Sequence, residues 1–471
     1  MTSGAPELAR PLVVQTEPAW EGWRRIARNV DRAIGALSEG VGAALVLAEI
    51  CILFAGVVSR YVFDSPLMWT DELANFLFLW LAMLGMVVAL RRGEHMRLTT
   101  FVNSLGPQWS RYFGTVGALV LIVFVIELLL PAAQYLQVQE STELITLSVS
   151  DGYRVIAILV GATLTAVIAL LRLIETTTWR GFLLPLALVG TIAFVLWLAQ
   201  PLLIAMGHGS LVLFFVVLVA VCVLIGVPIA FTFGIATFSY LALTTDLPLV
   251  IVVNRIDDGI SNLLLLAVPM FVVLGLLMEM TGIARVMVNF LAALIGHVKG
   301  GLSYVLLGAM YLVSGISGSK AADMAAVAPI LFPEMLRRGA HPGELASLLA
   351  TSSAMSETIP PSLVLITIGS VTNISIVALF TGGLLPAAVA ALGLVAIAWW
   401  RARGEDTGGR QRAPASQIAR AFVIAVPGLT LPFVIRAAVI QGVATATEVS
   451  TVGVVYTALL GIIVYRQFDW R

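Results

Sequence analysis

Runs of apolar residues long enough to cross a lipid bilayer recur along the whole chain. A spanning helix needs about 20 residues, and the first four runs end near residues 62, 90, 135 and 173. Of the 471 residues, 59% are hydrophobic and 11% are charged, and the mean hydropathy is +1.00. This composition excludes a set of soluble domains, and the short alternating strands of a β-barrel are missing. The sequence therefore predicts an all-α polytopic membrane protein.

The positions of the arginines predict how these runs are oriented. Positive charge stays on the cytoplasmic side, which places the arginine-rich N-terminal stretch, Arg91–Arg92, Arg172 and Arg180 inside. Residues 137–151 contain no Lys or Arg and should lie outside. We expect a cytoplasmic tail without a cleaved signal peptide, a four-helix module, a connecting transmembrane helix and a second module. Their predicted ranges are residues 1–35, 36–176, 177–207 and 208–471.

One stretch of the second module is not compatible with a continuous membrane helix. Residues 314–320 read Ser-Gly-Ile-Ser-Gly-Ser-Lys between two apolar arms, at about residues 300–313 and 321–332. Each arm is too short to span a bilayer. Lys299 precedes the first arm and Arg337 follows the second, so both ends should lie inside. We predict a re-entrant hairpin whose tip lines a binding site, because non-helical backbone at membrane depth must be buried or line a cavity.

A second interruption follows the hairpin at residues 344–371. Pro360 and Pro361 remove two backbone donors and force the preceding residues out of helical geometry. The segment is predicted to form two half-helices with an unwound centre.

The tip and the break provide the same chemical groups. The first half-helix of each ends in unpaired carbonyls that suit Na⁺, and hydroxyls add neutral oxygen ligands. The second begins with unpaired N–H groups that favour a carboxylate. The residues predicted to bind Na⁺ are Ser314, Gly315, Ser317, Ser356, Thr358 and Ile359. Those predicted to bind a carboxylate substrate are Ser317, Gly318, Ser319, Lys320, Thr358, Pro360 and Pro361. The alternative is that these small residues only allow close helix packing.

Several ionisable residues lie within or beside the apolar runs. Lys320 either faces the substrate carboxylate or forms an ion pair with Asp323, three residues further on. Glu49 is expected to contact a neighbouring helix, and the same is expected of Glu127. Two glutamates beside the interruptions, Glu357 and Glu448, are candidates for the site or for caps of the adjoining half-helices.

The motifs of an enzyme are absent from the sequence. Its four histidines are scattered, Cys51 and Cys222 lie in apolar runs, and Gly318-Ser319-Lys320 has the wrong order for a phosphate-binding loop. We expect no catalytic activity, no organic cofactor and no nucleic-acid partner. Uphill transport would then draw on an ion gradient, with Na⁺ as the coupling ion.

A similarity between two short segments of the sequence suggests an inverted repeat. Residues 226–230, Gly-Val-Pro-Ile-Ala, resemble residues 442–446, Gly-Val-Ala-Thr-Ala. Transporters are often built from such repeats. At this offset the partners of the tip and of the break fall beyond Arg471, so either the repeat interpretation is wrong or a second half of the site is missing from this chain.

Two sets of residues in the sequence resemble a tripartite ATP-independent periplasmic (TRAP) transporter with fused small and large membrane subunits. The small-subunit pattern is matched by Arg60, Pro66, Trp69, Asp71-Glu72, Gly85, Arg92-Gly93 and His95. The large-subunit pattern is matched, in order, by Pro269-Met270-Phe271, Gly296-His297, Lys299-Gly300-Gly301, Ser317-Gly318-Ser319, Pro333-Glu334-Met335 and Ile359-Pro360-Pro361-Ser362. One departure is Thr445-Ala446-Thr447-Glu448, where the family has Thr-Pro-Thr-Glu.

The resemblance implies a membrane component in the bacterial inner membrane that imports an organic acid, such as a C4-dicarboxylate or a sugar acid, with Na⁺. It also implies an elevator mechanism and a periplasmic binding protein that delivers the substrate. Two alternatives remain: a stand-alone dicarboxylate symporter, and a truncated membrane scaffold that does not transport.

Overall fold

The structure, a computed structural model, describes residues 18–404 and 412–466, and it describes residues 18–21, 179 and 180 by their backbone alone. Residues 1–17 of the predicted tail, residues 405–411 of the polar linker and the Arg180 side chain therefore lie outside the described residues. So do residues 467–471.

Within the described residues, the first part of the chain contains eleven α-helices. They are α1 (Pro18–Tyr61), α2 (Trp69–Arg92), α3 (Thr100–Ser104), α4 (Pro107–Gln139), α5 (Gly152–Thr176), α6 (Trp179–Leu198), α7 (Gln200–Ala205), α8 (Gly209–Val212), α9 (Val219–Leu224), α10 (Ile229–Thr244) and α11 (Val250–Ile260). A π-helical turn, Leu213–Leu218, joins α8 to α9.

The second part adds nine more α-helices. They are α12 (Ala267–Met280), α13 (Ile283–Ile295), α14 (Gly301–Ser317), α15 (Lys320–Arg337), α16 (Pro342–Ser353), α17 (Leu363–Thr372), α18 (Ile376–Arg401), α19 (Ala415–Ile440) and α20 (Ala446–Leu459). Short 3₁₀-helices cover Leu263–Leu266, Ala354–Glu357 and Ala402–Gly404, and Leu460–Tyr465 is π-helical.

Nine helical segments of the described residues are long and apolar enough to cross a membrane. Outside the helices, the described residues contain one isolated β-bridge, between Glu143 and Ser150. The predicted class, an all-α polytopic membrane protein, is confirmed.

Two boundaries differ from the sequence-based expectation. Helix α1 begins at Pro18 rather than near residue 36, because Asp31 and Glu39 on its polar part pair with Arg91 at 2.9 and 3.1 Å. The predicted connecting helix, residues 177–207, is divided after Leu198, and Pro201 lies in the first turn of the next helix, α7. Helix α11 (Val250–Ile260) carries charged residues in its second half and is too short to span a membrane.

The described residues form two compact units. The first contains the chain up to Ala43, Trp80–Glu143 and Ser150–Ile256. In it, α4 packs against α5, α6 and α10. The indole of Trp80 donates a hydrogen bond to the carbonyl of Tyr153 (3.1 Å).

The second unit contains Ala44–Leu79, Leu144–Val149 and the chain from Asp257 onward. Its core lies where α12, α13, α14, α19 and α20 pack together, and includes the fully buried side chains of Phe271, Leu274, Met278 and Met287. The hairpin of α14 and α15 lies in this unit, and so does the break between α16 and α17.

Glu72 fixes the loop at Leu144–Val149 to the start of α2. Its carboxylate accepts hydrogen bonds from the backbone amides of Ile145 (2.8 Å), Thr146 (2.8 Å) and Leu147 (3.0 Å). Glu72, one of the two acidic residues in the small-subunit pattern, therefore has a structural role.

Candidate functional site

The hairpin reverses direction over two residues. Helix α14 ends at Ser317, Gly318 takes a left-handed conformation (φ 61°), and α15 begins at Lys320. A side chain at residue 318 would overlap the carbonyl oxygen of Pro361. Glycine is therefore required at this position for two reasons: the backbone angle and the direct contact between tip and break.

The predicted break within residues 344–371 is confirmed. Helix α16 ends at Ser353, a 3₁₀ turn follows to Glu357, and α17 begins at Leu363. The hydroxyl of Ser362 donates to the Glu357 carbonyl (2.8 Å) and accepts from the Leu365 amide (3.2 Å). This hydroxyl caps the second half-helix and closes the unwound segment.

A carboxylate with three serine hydroxyls lies where the tip meets the break. Ser314 donates to Oδ2 of Asp323 at 2.6 Å, Ser317 donates to Oδ1 at 2.5 Å, and Ser356 also donates to Oδ2. The hydroxyls of Ser314 and Ser356 are 2.7 Å apart. All four side chains are fully buried. Burying an ionised carboxylate is costly unless hydrogen bonds stabilise it, and these serines provide them.

The Asp323–serine cluster has the ligand chemistry of a hard cation. It combines one carboxylate with three hydroxyl oxygens, whereas soft metals prefer thiolate and imidazole ligands. No group of three or more His, Cys, Asp or Glu side chains suited to a metal occurs in the described part of the chain. The cluster thus provides oxygen atoms of the kind that a hard cation prefers as ligands.

Lys320 does not pair with Asp323. It forms an ion pair with Glu357, across the junction of tip and break, and Asp323 is bound by serines instead. The predicted alternative of a Lys320–Asp323 pair is therefore wrong. The reason is that Lys320 is the first residue of α15 and is exposed, whereas Asp323, one turn later, faces the interior.

The remaining predicted residues divide between the cluster and its surroundings. The amide of Ser319 donates to the Ser317 hydroxyl (3.1 Å), and the hydroxyl of Thr358 donates to the Met355 carbonyl (3.0 Å). Ile359 is fully buried and packs with Met355, and Pro360 and Pro361 are also buried. Gly315 faces α19, where an added Cβ would lie 3.0 Å from Cβ of Pro432.

Other acidic residues have different environments. Glu448 completes a capping box with Thr445 at the start of α20 and pairs with Arg60 at 2.5 Å, which agrees with its predicted role as a cap.

Both carboxylate oxygens of Glu49 are buried without a hydrogen-bond partner among the described residues. Glu49 is fully buried, so it packs against its neighbours, but no hydrogen bond from a neighbouring helix satisfies its carboxylate among these residues. Glu127 is exposed on α4.

Asp323 is the principal residue that the sequence analysis missed as a site candidate. The sequence feature that marks Asp323 is an aspartate within an apolar arm, close to Ser314 and Ser317 in sequence. An intramembrane carboxylate is rare enough to be a site candidate by itself.

Two family profiles match this chain. Residues 216–471 match "Tripartite ATP-independent periplasmic transporter, DctM component", and residues 49–179 match the DctQ component of the same transporters. The chain belongs to the TRAP transporter family. The two components occur here in one chain, so the predicted fusion of small and large subunits is confirmed, and the Asp323–serine cluster lies in the DctM part of this TRAP protein.

Individual TRAP proteins support the same assignment. The chain is 28% identical over 454 residues to the sialic acid TRAP transporter permease protein SiaT of Haemophilus influenzae, covering 93% of this chain and 73% of the relative. It is 25% identical over 419 residues to the isethionate TRAP transporter permease protein DctMQ of Oleidesulfovibrio alaskensis, covering 85% and 63%. It is 31% identical over 247 residues to the 2,3-diketo-L-gulonate TRAP transporter large permease protein YiaN of Escherichia coli, covering 52% and 58%.

Proposed function

We propose that this chain is the membrane component of a secondary transporter that imports an organic acid together with Na⁺. The observation that carries the proposal is the buried Asp323 carboxylate and its three serine hydroxyls, at the contact between the hairpin tip and the broken helix. Within the described residues this carboxylate is held by hydroxyls and by no cationic side chain, and such a carboxylate in a membrane protein is suited to a small cation.

The organic anion would bind beside the cation. Helix α15 begins at Lys320 and α17 begins at Leu363, and the first amides of a helix have no partner within it. The positive ends of the two helices favour a carboxylate. Lys320, which forms an ion pair with Glu357, adds a positive charge at this junction.

The names of the relatives support an organic acid as the substrate. The names of three of them specify sialic acid, isethionate and 2,3-diketo-L-gulonate, and another, from Rhodobacter capsulatus, specifies C4-dicarboxylates. All are organic acids, so we expect a carboxylate or a related anion here. We further propose that a periplasmic binding protein delivers the anion, that the protein lies in the inner membrane with a cytoplasmic N-terminus, and that it works as an elevator.

Reconstitution of the purified chain into proteoliposomes tests this function. An inward Na⁺ gradient is imposed, the four acids are supplied one at a time, and each is tested with and without the binding protein of the corresponding relative. Cation binding is measured separately, as the difference in unfolding temperature between NaCl and KCl, because a ligand of the native state raises that temperature. Asp323→Asn is the test variant, and Asp246→Asn, in an exposed loop, is its matched control.

We expect uptake that needs both Na⁺ and a binding protein, and Na⁺-specific stabilisation that Asp323→Asn abolishes and Asp246→Asn retains. Uptake without any binding protein would indicate a stand-alone symporter instead. If no acid enters under any gradient and Na⁺ does not stabilise the protein, a membrane scaffold is the better description.

A further inference from the structure

A positively charged side chain on α19 lies close to the C-terminal end of α14. Arg436 lies on α19, inside a segment apolar enough to span the membrane. Its Cζ is 6.0 Å from the ring centroid of Tyr311. Its Nη2 is 3.6 Å from the position that a Cβ of Gly315 would occupy. Tyr311 and Gly315 are one turn apart on α14, so the guanidinium lies along the last turn of that helix.

This guanidinium has no acidic partner in the described residues. Its Nε is buried and makes no hydrogen bond there. The two carboxylates nearest in sequence to the tip and the break are bound elsewhere, Asp323 by serines and Glu357 by Lys320. An unpaired cation inside a membrane segment is costly, so its position indicates a role that is not simple packing.

The last turn of α14 is also the negative end of that helix. The unpaired carbonyls of a helix C-terminus carry about half an elementary negative charge, which attracts cations. Ser314 and Ser317 of the Asp323–serine cluster belong to the same turn. Arg436 and a cation bound to the cluster would therefore share one negative region, and their charges repel each other.

We propose that Arg436 is a positioning residue that lowers the affinity of the Asp323–serine cluster for Na⁺, so that the ion binds reversibly. This inference rests on the proposed function, because it assumes that the cluster binds Na⁺. Gly315 makes the arrangement possible, since a side chain there would lie against the guanidinium and 3.0 Å from Cβ of Pro432.

The test is a Na⁺ titration of the purified protein, with the ionic strength held constant by KCl. The readouts are the midpoint of the Na⁺-dependent rise in unfolding temperature and equilibrium binding of radioactive Na⁺. The variants are Arg436→Gln and Arg436→Lys. Arg420→Gln is the matched control, because Arg420 is an exposed arginine on the same helix.

Arg436→Gln should lower the half-saturating Na⁺ concentration about tenfold, because the substitution removes the positive charge that repels the ion. Arg436→Lys should stay within about threefold of the wild type, and Arg420→Gln should have no effect. The midpoint is compared rather than the unfolding temperature itself, because removal of a packed arginine alone can change stability.

An unchanged or higher midpoint in Arg436→Gln, with a normal Na⁺ response in the wild type, would overturn this inference and leave the proposed function intact. An equal shift in Arg420→Gln would also overturn it, because the effect would then be a general one of charge. A wild type without any Na⁺-specific response would overturn the proposed function and this inference together.

Discussion

Ser356, in the break between α16 and α17, donates its hydroxyl hydrogen to Asp323 on the second arm of the hairpin. This hydrogen bond joins two residues that are 33 positions apart in sequence, and both side chains are completely buried. The candidate site is thus formed by folding, from two interruptions of helical structure that each carry part of the ligand set.

Ser356→Ala should destabilise the protein and weaken its response to Na⁺. The substitution leaves the buried Asp323 carboxylate with two of its three donors, and loss of a hydrogen bond to a buried charge costs about 1.5–3 kcal/mol. Thermal unfolding in detergent, in NaCl and in KCl, measures both effects. Ser347→Ala, on the exposed face of α16, should change neither. Equal behaviour of the two variants would show that the hydrogen bond to Asp323 contributes nothing.

Gly318→Ala should be far more damaging than Gly339→Ala. Both glycines have positive φ, 61° and 84°, so alanine costs about 1–2 kcal/mol at either position. At Gly339 the added methyl group meets nothing within 4 Å, whereas at Gly318 it overlaps the Pro361 carbonyl. We expect a total loss of about 3 kcal/mol or more for Gly318→Ala. Unfolding temperatures of the two variants check the difference, and similar values would contradict the close contact of tip and break.

Lys320→Gln should reduce affinity for the acid without much loss of stability. The side chains of Lys320 and Glu357 are 45% and 39% exposed, so their ion pair is worth about 0–1 kcal/mol. A charged contact with the substrate is worth more, about 1.5–3 kcal/mol, which corresponds to at least a tenfold rise in the half-saturating acid concentration. Uptake kinetics in proteoliposomes measure it.

The other lysine of the sequence, Lys299, provides the control. Lys299→Gln should leave uptake unchanged. If Glu357→Gln reduces affinity as much as Lys320→Gln does, the lysine acts through its ion pair and does not contact the substrate.

His95 should make the first unit sensitive to acid. Burial lowers the pKa of His95 below its ordinary value of 6.5, and the charge of Arg172 adds to this effect, whereas the hydrogen bond with the Met86 carbonyl opposes it. The folded state therefore favours the neutral ring. The associated stability is present above pH 6.5 and is lost as the pH falls through the lower folded-state pKa.

Unfolding temperatures between pH 8 and pH 5 should fall more steeply for the wild type than for His95→Gln. The exposed His341 gives the matched control, because His341→Gln should retain the slope of the wild type. Parallel curves for the wild type and His95→Gln would contradict a role for this ring.

The interruptions of helical structure could be predicted from sequence because each has a local cause. Pro360 and Pro361 cannot continue a helix, and Gly318 allows the left-handed turn that reverses the hairpin. The capping box at Thr445 and Glu448 forms although alanine replaces the proline of the family pattern, since the side chains of Thr445 and Glu448 satisfy the backbone amides.

The composition of the site could be predicted only in part. Ser314, Ser317 and Ser356 were assigned to it from their position beside helix ends, and the structure brings all three to one carboxylate. That this carboxylate is Asp323 depends on which face of α15 turns inward, and Arg436 depends on a crossing between α14 and α19. Tertiary packing decides both: the position of Asp323 within an apolar arm makes it a site candidate, but that position does not show which side chains its carboxylate meets.

The contact between Gly318 and Pro361 has a mechanical consequence. Since no side chain separates the hairpin tip from the unwound segment, and Asp323 is bonded to both, neither element can swing away alone without breaking buried hydrogen bonds. A movement that keeps these hydrogen bonds would therefore displace the tip and the unwound segment together, with its hinge outside them, towards the outer ends of α14, α15, α16 and α17.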